Sequence, residues 1–344
     1  MTREEEKKNI LSRFPGVTMA YGRAGEEAQT EVYGVSDRES GAPVERDTVF
    51  PACSISKFVT ALIVMRMQEL NLIDVDRKVD DYLGQWKLLT PNGNLSDATI
   101  RNVLCHTAGI VDGEDGFYGW RRSDPEITLL DVLEGKTRYN SNPAIAEMPK
   151  GEFFEYSDAG YCVLQQMIQD VTGKAYEDVA EEMIFERLGL KNSFFATTQN
   201  MEKHQAKMAT GYDEEGMAIP GRFPVIPDLA ASGLWSTPED LFAITSEFYL
   251  ALQGESTLLR KETAQEMIKP AEKFSWAGLD IFPEGEDAVA SRGWGENGQC
   301  MIKLDVRTGT IGIVMTNANP GVDQAESGVE WLVNHSMTMN KRGN

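Results

Sequence analysis

Ser54-Ile-Ser-Lys57-Phe-Val-Thr-Ala-Leu-Ile-Val-Met-Arg-Met-Gln-Glu-Leu70 is the stretch on which the reading of the fold turns. From Ser56 to about Leu70 it is apolar nearly all round, the composition of a helix buried between layers. We expect that helix at the centre of the molecule. Ser54 and Lys57 stand three residues apart at its start, and no other serine in the chain has a lysine at that spacing. If Ser54 opens the first turn, both side chains share a face and the Lys57 amine can reach the Ser54 hydroxyl. A hydroxyl becomes nucleophilic once a base takes its proton, and a lysine among Phe58, Leu62 and other apolar groups loses hydration, which favours the neutral amine. The helix N-terminus adds an unpaired N–H and a positive dipole end for an oxyanion. A second reading is a helix-capping serine followed by a lysine that keeps its amine in water. The pair alone leaves both open.

Around this helix lie 344 residues, a length that suits one core region carrying an inserted subdomain. Hydrophobic residues make up 41% and charged residues 25%, so the chain can bury a large core and no window reads as disordered. The formal charge of −21 repels phosphate backbones and anionic lipid surfaces, which excludes nucleic acid and membranes as expected partners. The opening Met1-Thr-Arg-Glu-Glu-Glu-Lys-Lys has no apolar segment behind it, so no secretory signal is visible and a cytoplasmic location is expected. Cys53, Cys105, Cys162 and Cys300 are scattered in apolar surroundings and read as buried, reduced thiols. His106, His204 and His335 have no metal-ligand spacing, and neither a metal nor another cofactor is expected.

Val17-Thr-Met-Ala-Tyr21 and Glu31-Val-Tyr33 read as a hairpin after an opening helix. From about Asp74 to Phe248, helical periodicity alternates with Gly, Pro and Asn punctuation. Strand character returns at Trp276 to Phe282, Gln299 to Leu304 and Thr310 to Thr316, and a last helix is expected from about Asp323 to Met337. The pattern predicts an α/β (α+β) fold: one antiparallel sheet built from both termini and flanked by helices, plus an all-helical insertion. Residues 1–75 and 260–344 would form the sheet domain and 76–259 the helical one, with the site in the cleft between.

A second element is Pro149-Lys-Gly-Glu-Phe-Phe-Glu-Tyr156-Ser157-Asp158-Ala-Gly160-Tyr161, a turn-rich approach to a tyrosine before another apolar helix. It resembles the Tyr-x-Asn motif of the serine β-lactamase-related family, which includes class C β-lactamases, DD-peptidases and family VIII esterases. Ala98 to Ile110, Ile184 to Ser193 and Ala231 to Leu241 resemble further segments of that family in the same order, so the likeness covers roughly Phe50 to Pro320. The resemblance implies a β-lactamase/transpeptidase-like fold, Ser54 as nucleophile, and Lys57 and Tyr156 as proton-moving groups. It implies a structural role for His106. Asp158 departs from the pattern, which has asparagine there. A carboxylate at that position would hold Lys57 protonated and make Tyr156 the resting base, or would bind a cationic amine on the substrate. Both remain open at this stage.

The family's third motif, Lys-Thr-Gly or His-x-Gly on an inner strand, is matched poorly by Ser291-Arg292-Gly293-Trp294-Gly295-Glu296-Asn297-Gly298. Counting back without gaps puts Ser291-Arg292-Gly293 at the motif, whereas matching Glu296-Asn297 puts Gly293-Trp294-Gly295 there. We favour the second. The cationic or histidine side chain that receives a substrate carboxylate is absent unless Arg292 replaces it, which argues against strong β-lactamase activity. Asp158, Arg292, Gly293, Trp294, Gly295 and Glu296 are the candidate substrate-binding residues. The same stretch spells Gly-x-Gly-x-x-Gly, but it leads into β-prone Gln299-Cys-Met-Ile instead of a helix and is not read as a dinucleotide loop. No G-x-S-x-G elbow occurs. The expected activity is a serine hydrolase that forms an acyl-enzyme on a small-molecule or peptide substrate: a D-amino-acid peptide, a β-lactam or a short ester. The alternatives are a non-catalytic penicillin-binding or sensor protein of the same fold, and an acyltransferase. The oligomeric state cannot be read from the sequence.

Overall fold

The computed structural model describes residues 2–113, 116–119 and 127–339. In chain order its strands are β1 (Gly16–Arg23), β2 (Gln29–Asp37), β3 (Ala42–Pro43), β4 (Phe50–Pro51), β5 (Phe194–Phe195), β6 (Leu234–Ser236), β7 (Phe282–Glu284), β8 (Ala288–Gly295), β9 (Gly298–Asp305) and β10 (Thr310–Thr316). Seven of them make one antiparallel sheet in the order β3-β2-β1-β10-β9-β8-β7. The two ends of the chain meet at its centre, where Val17 lies opposite Thr316 and Arg23 opposite Thr310.

The helices that cover this sheet or shape the site are α1 (Arg3–Leu11), α2 (Ile55–Glu69), α3 (Ile100–Leu104), α4 (Asp158–Thr172), α5 (Leu229–Ser232), α6 (Pro238–Gln253) and α7 (Val329–Met339). The two-residue alternation of a strand sorts β10 into two faces. Ile311, Ile313 and Met315 pack with α2 in the main core, while Val314 joins Ile10, Leu332 and Val333 under α1 and α7. Gly312 lets α7 come close, because a Cβ there would stand 2.8 Å from Met337 Cγ and 3.0 Å from the Val333 carbonyl. Helix α2 is buried on all sides from Ile55 to Met65, as its unbroken apolar composition predicts.

Helices dominate between residues 76 and 259, but β5 and β6 also lie there and form a small second sheet with β4 in the order β4-β6-β5. Helix α6 packs on β1 and β10 of the main sheet. The expected strand from Trp276 to Phe282 is shorter and later, at Phe282–Glu284. A Cβ on Gly278 would stand 2.3 Å from the Ile281 carbonyl, and Asp280 has φ +50°, so the chain there folds back on itself and cannot extend. All four cysteines are buried and free. No described helix is long and apolar enough to cross a membrane.

Candidate active site

Ser54 sits at the N-terminus of α2 after Cys53, a non-glycine residue held at φ +49°. Its hydroxyl makes no helix-capping hydrogen bond. Instead Ser54 Oγ accepts a hydrogen bond from Lys57 Nζ at 3.1 Å, which removes the helix-cap reading. The tie to the surrounding backbone falls to Ser56, whose Oγ donates to the Cys53 carbonyl at 2.6 Å and accepts from the Leu234 amide at 2.9 Å. The Ser54 amide donates to no described group, so it is available to an oxyanion. Cys53 is no rival nucleophile, since burial pushes its thiol up to about 12, with Lys57 opposing only in part.

Lys57 does not reach water. It is fully buried, and besides Ser54 its ammonium meets the Ala231 carbonyl of α5 at 2.9 Å and Asp158 Oδ1 at 2.5 Å. Burial alone pulls its pKa down, but Asp158 and then Asp280 push harder the other way, and the net shift is upward. Lys57 is therefore an ammonium at neutral pH, and the expectation that burial frees its amine is corrected by these acidic neighbours.

Tyr156 stands one residue before Ser157, which caps α4 by accepting the Gly160 amide at 2.9 Å. Its ring lies under the Lys57 ammonium at 4.8 Å and stacks on His106 with centroids 4.3 Å apart. The residue is 40% exposed, although its hydroxyl is enclosed by protein. Burial raises the phenol, Asp280 and Asp158 add to the rise, and Lys57 together with a hydrogen-bonding contact to Ser54 lowers it in part, for a net increase. Tyr156 thus keeps its proton at neutral pH. That departs from the expectation that Tyr156 is the resting base, because a buried phenolate would face Asp158 and Asp280.

Three aspartates that no sequence pattern singled out surround this group. Asp112 caps α4 from outside: its Oδ1 accepts from Ser157 Oγ at 2.7 Å and the Ala159 amide at 3.0 Å, and its Oδ2 from the Asp158 amide at 2.6 Å. Burial, with Asp158 adding to it, pushes the Asp112 carboxyl up to about 6. Asp228 is fully buried, accepts from Tyr139 Oη at 2.8 Å, leaves Oδ2 without a partner among the described residues, and is pushed by burial and then Asp158 up to about 7. Asp280 takes a 3.1 Å contact from His106 Nε2. Only distances in the folded chain reveal these three.

On the sheet side, a Cβ on Gly293 would stand 2.3 Å from the Ala52 carbonyl, and one on Gly295 would stand 3.1 Å from Cys53 Sγ. Beyond Ala290, strand β8 is paired on its β9 side, and Ser291–Gly295 runs past residues 52–53 with its other edge lacking a strand partner among the described residues. Trp294 donates from Nε1 to Asn319 Oδ1 at 2.7 Å, and Glu296 accepts from the Gly119 amide. Trp294, Gly295 and Glu296 line a cavity of about 280 Å³ together with Cys53, Tyr139 and Asp158. Arg292 is not brought there. Its guanidinium pairs with Glu284 and lies 4.0 Å from Glu330 of α7, so it does not take the place of the missing cation.

A seven-stranded antiparallel sheet, a buried serine-lysine helix against it and a tyrosine from the helical side define the β-lactamase/transpeptidase-like architecture. The chain belongs to the Beta-lactamase family, whose family model matches residues 3–333. Among curated relatives, Esterase EstB of Burkholderia gladioli is 26% identical over 54% of this chain and 48% of its own length. The Teichoic acid D-alanine hydrolase of Staphylococcus aureus is 26% identical over 67% of this chain and 53% of its own. The chain thus spans about half the length of these two relatives. Among solved structures, the D-amino acid amidase of Ochrobactrum anthropi SV3 superposes with a TM-score of 0.79 at 21% identity, covering 98% of this chain and 97% of that one. The octameric penicillin-binding protein homologue of Pyrococcus abyssi gives 0.78 at 24% identity, covering 97% and 77%. At these identities the superpositions establish the fold alone.

Proposed function

We propose that this chain is a serine hydrolase that forms an acyl-enzyme at Ser54 on a small amide or ester. The observation that carries this reading is that Lys57 Nζ touches Ser54 Oγ and Asp158 Oδ1 together, at 3.1 and 2.5 Å. A lysine that holds its proton cannot act as a base, but a proton passed from Nζ to the adjacent carboxylate leaves a neutral amine beside the serine. That amine takes the Ser54 proton as Oγ bonds to the substrate carbonyl carbon. The oxyanion is met by the free Ser54 amide and by backbone N–H groups along β8. As the carbonyl-to-leaving-group bond breaks, Tyr156 gives its hydroxyl proton to the leaving nitrogen or oxygen and recovers one from Lys57. Water then attacks the acyl-Ser54 carbonyl, its proton goes to the same relay, and the acid is released with Ser54 restored.

The substrates in reach of this reading are D-amino-acid peptides, β-lactams and short esters. The names of the relatives, an esterase and a D-alanine hydrolase, support small acyl groups. The missing third-motif cation favours a second reading, a penicillin-binding sensor that is acylated without turnover. One experiment tests both. A fluorophosphonate or a fluorescent penicillin should label the wild type and leave Ser54→Ala unlabelled; no labelling by either probe overturns the acyl-enzyme. A panel of nitrophenyl esters, D-amino-acid amides and nitrocefin then separates turnover from stable acylation.

A further inference from the structure

The loop that delivers Tyr156 meets His106 at successive positions. His106 pins three consecutive positions: its carbonyl accepts the Glu155 amide at 2.8 Å, its ring stacks on Tyr156 at 4.3 Å, and its Nδ1 accepts the Ser157 amide at 3.1 Å. Because Nδ1 is an acceptor, the ring proton is on Nε2, and Nε2–H donates to Asp280 Oδ1 at 3.1 Å. The ring is only 1% exposed and the Asp280 side chain 2%. Phe154 and Tyr161 close on the ring from other sides, with centroids 5.8 and 5.3 Å away.

Both members of this pair have left-handed backbones, φ +58° at His106 and φ +50° at Asp280. Non-glycine residues keep such a conformation only where their surroundings over-determine it. Here the two unfavourable conformations meet across one hydrogen bond, and what that bond holds is the segment carrying Tyr156 and Asp158, the two groups that flank the Lys57 ammonium. The charged groups that act on Asp280 are Lys57 and Asp158, so the pair also borders the proton path itself.

We propose that Asp280 and His106 are a buried positioning pair that fixes Tyr156 and Asp158 against Lys57 and Ser54, through a hydrogen bond from a His106 ring whose tautomer is set by the Ser157 amide. This rests on the acyl-enzyme reading for its catalytic consequence but not for its geometry. A pair that merely filled space would influence stability without touching turnover. A positioning pair acts on kcat.

The test uses the full-length chain. Asp280→Ala is expected to lower kcat about tenfold or more on an ester that the wild type turns over, with KM changed less than about twofold. Asp280→Asn keeps a carbonyl acceptor for Nε2–H and is expected to recover most of that loss, to within about threefold of wild type. In wild type, long-range ¹H–¹⁵N spectra should show His106 protonated at Nε2 and bare at Nδ1, the resonance being assigned by its loss in His106→Gln. A folded Asp280→Ala with the wild-type kcat and labelling rate overturns the proposal, as does a proton on Nδ1. If Asp280→Ala does not fold, Asp280→Asn and the wild-type tautomer decide. If no probe labels wild-type Ser54, the acyl-enzyme reading has failed, and the tautomer measurement still tests the pair.

Discussion

Lys57 Nζ lies closer to Asp158 Oδ1, at 2.5 Å, than to the serine it would deprotonate, at 3.1 Å. A base buried beside a carboxylate holds its proton until that carboxylate takes it or is neutralised. Asp158 is one of the groups that raise Lys57, so removing its charge lowers the Lys57 pKa. In Asp158→Asn the acid limb of kcat/KM should therefore move to lower pH, by about one unit or more. pH–rate profiles of the two proteins measure this. A limb that stays in place dismisses the coupling.

Tyr156→Phe keeps the stack on His106 and the ring beneath Lys57 and loses only the hydroxyl. We expect kcat to fall by roughly 10²–10⁴. Thermal stability should change little, because the residue is 40% exposed and its ring contacts remain. Stopped-flow acylation together with a melting curve separates the two effects. A variant as active as wild type would take Tyr156 out of the proton path.

Gly293→Ala places a methyl 2.3 Å from the Ala52 carbonyl, backbone that can yield only by moving the nucleophile's own segment. Loss of acylation and destabilisation of about 2–3 kcal/mol are expected. Gly295→Ala meets Cys53 Sγ at 3.1 Å, a side chain that can give way, and should be milder on both counts. Ser54 labelling rates and denaturant midpoints of the two variants test the order. Equal effects would show that the strand is not seated as tightly on residues 52–53 as the geometry requires.

Asp228 affects stability with a definite sign. Burial raises its folded pKa from an ordinary 3.8 to about 7. Between those values the folded state binds a proton that the unfolded state has released, so this group's contribution is favourable at low pH and is lost as pH rises through the window. Asp228→Asn keeps an acceptor for Tyr139 and cannot ionise. It should be more stable than wild type by roughly 1–3 kcal/mol at pH 8, with the difference shrinking towards pH 4. Melting temperatures across that range test it, and a stabilisation that grows on acidification contradicts it.

Much of this was legible in the chain before folding. The unbroken apolar run behind Lys57 specifies a helix that must be covered on every side, and alternation at Thr310 to Thr316 specifies a strand with two buried faces. The fold class follows from those periods, because burying apolar surface is a local demand repeated along the chain. Ser54, Lys57 and Tyr156 were legible as well, since a helical turn brings positions i and i+3 together and the Tyr156 segment carries a recognisable motif.

The charge state of the site was not legible. Asp112, Asp228 and Asp280 come from three separate loops, and nothing in their spacing says that burial, with the Asp158 charge adding to it, will push their carboxyls up while Lys57 stays charged among them. Arg292 looked available as a substrate cation until the fold brought Glu284 and Glu330 to its guanidinium. By itself, the sequence singled out Ser54, Lys57 and Tyr156 as candidates and specified the helix at whose start the first two stand. Only the tertiary structure decided which of them keep their protons, because pKa depends on distance and burial between residues far apart in the chain, which periodicity does not encode.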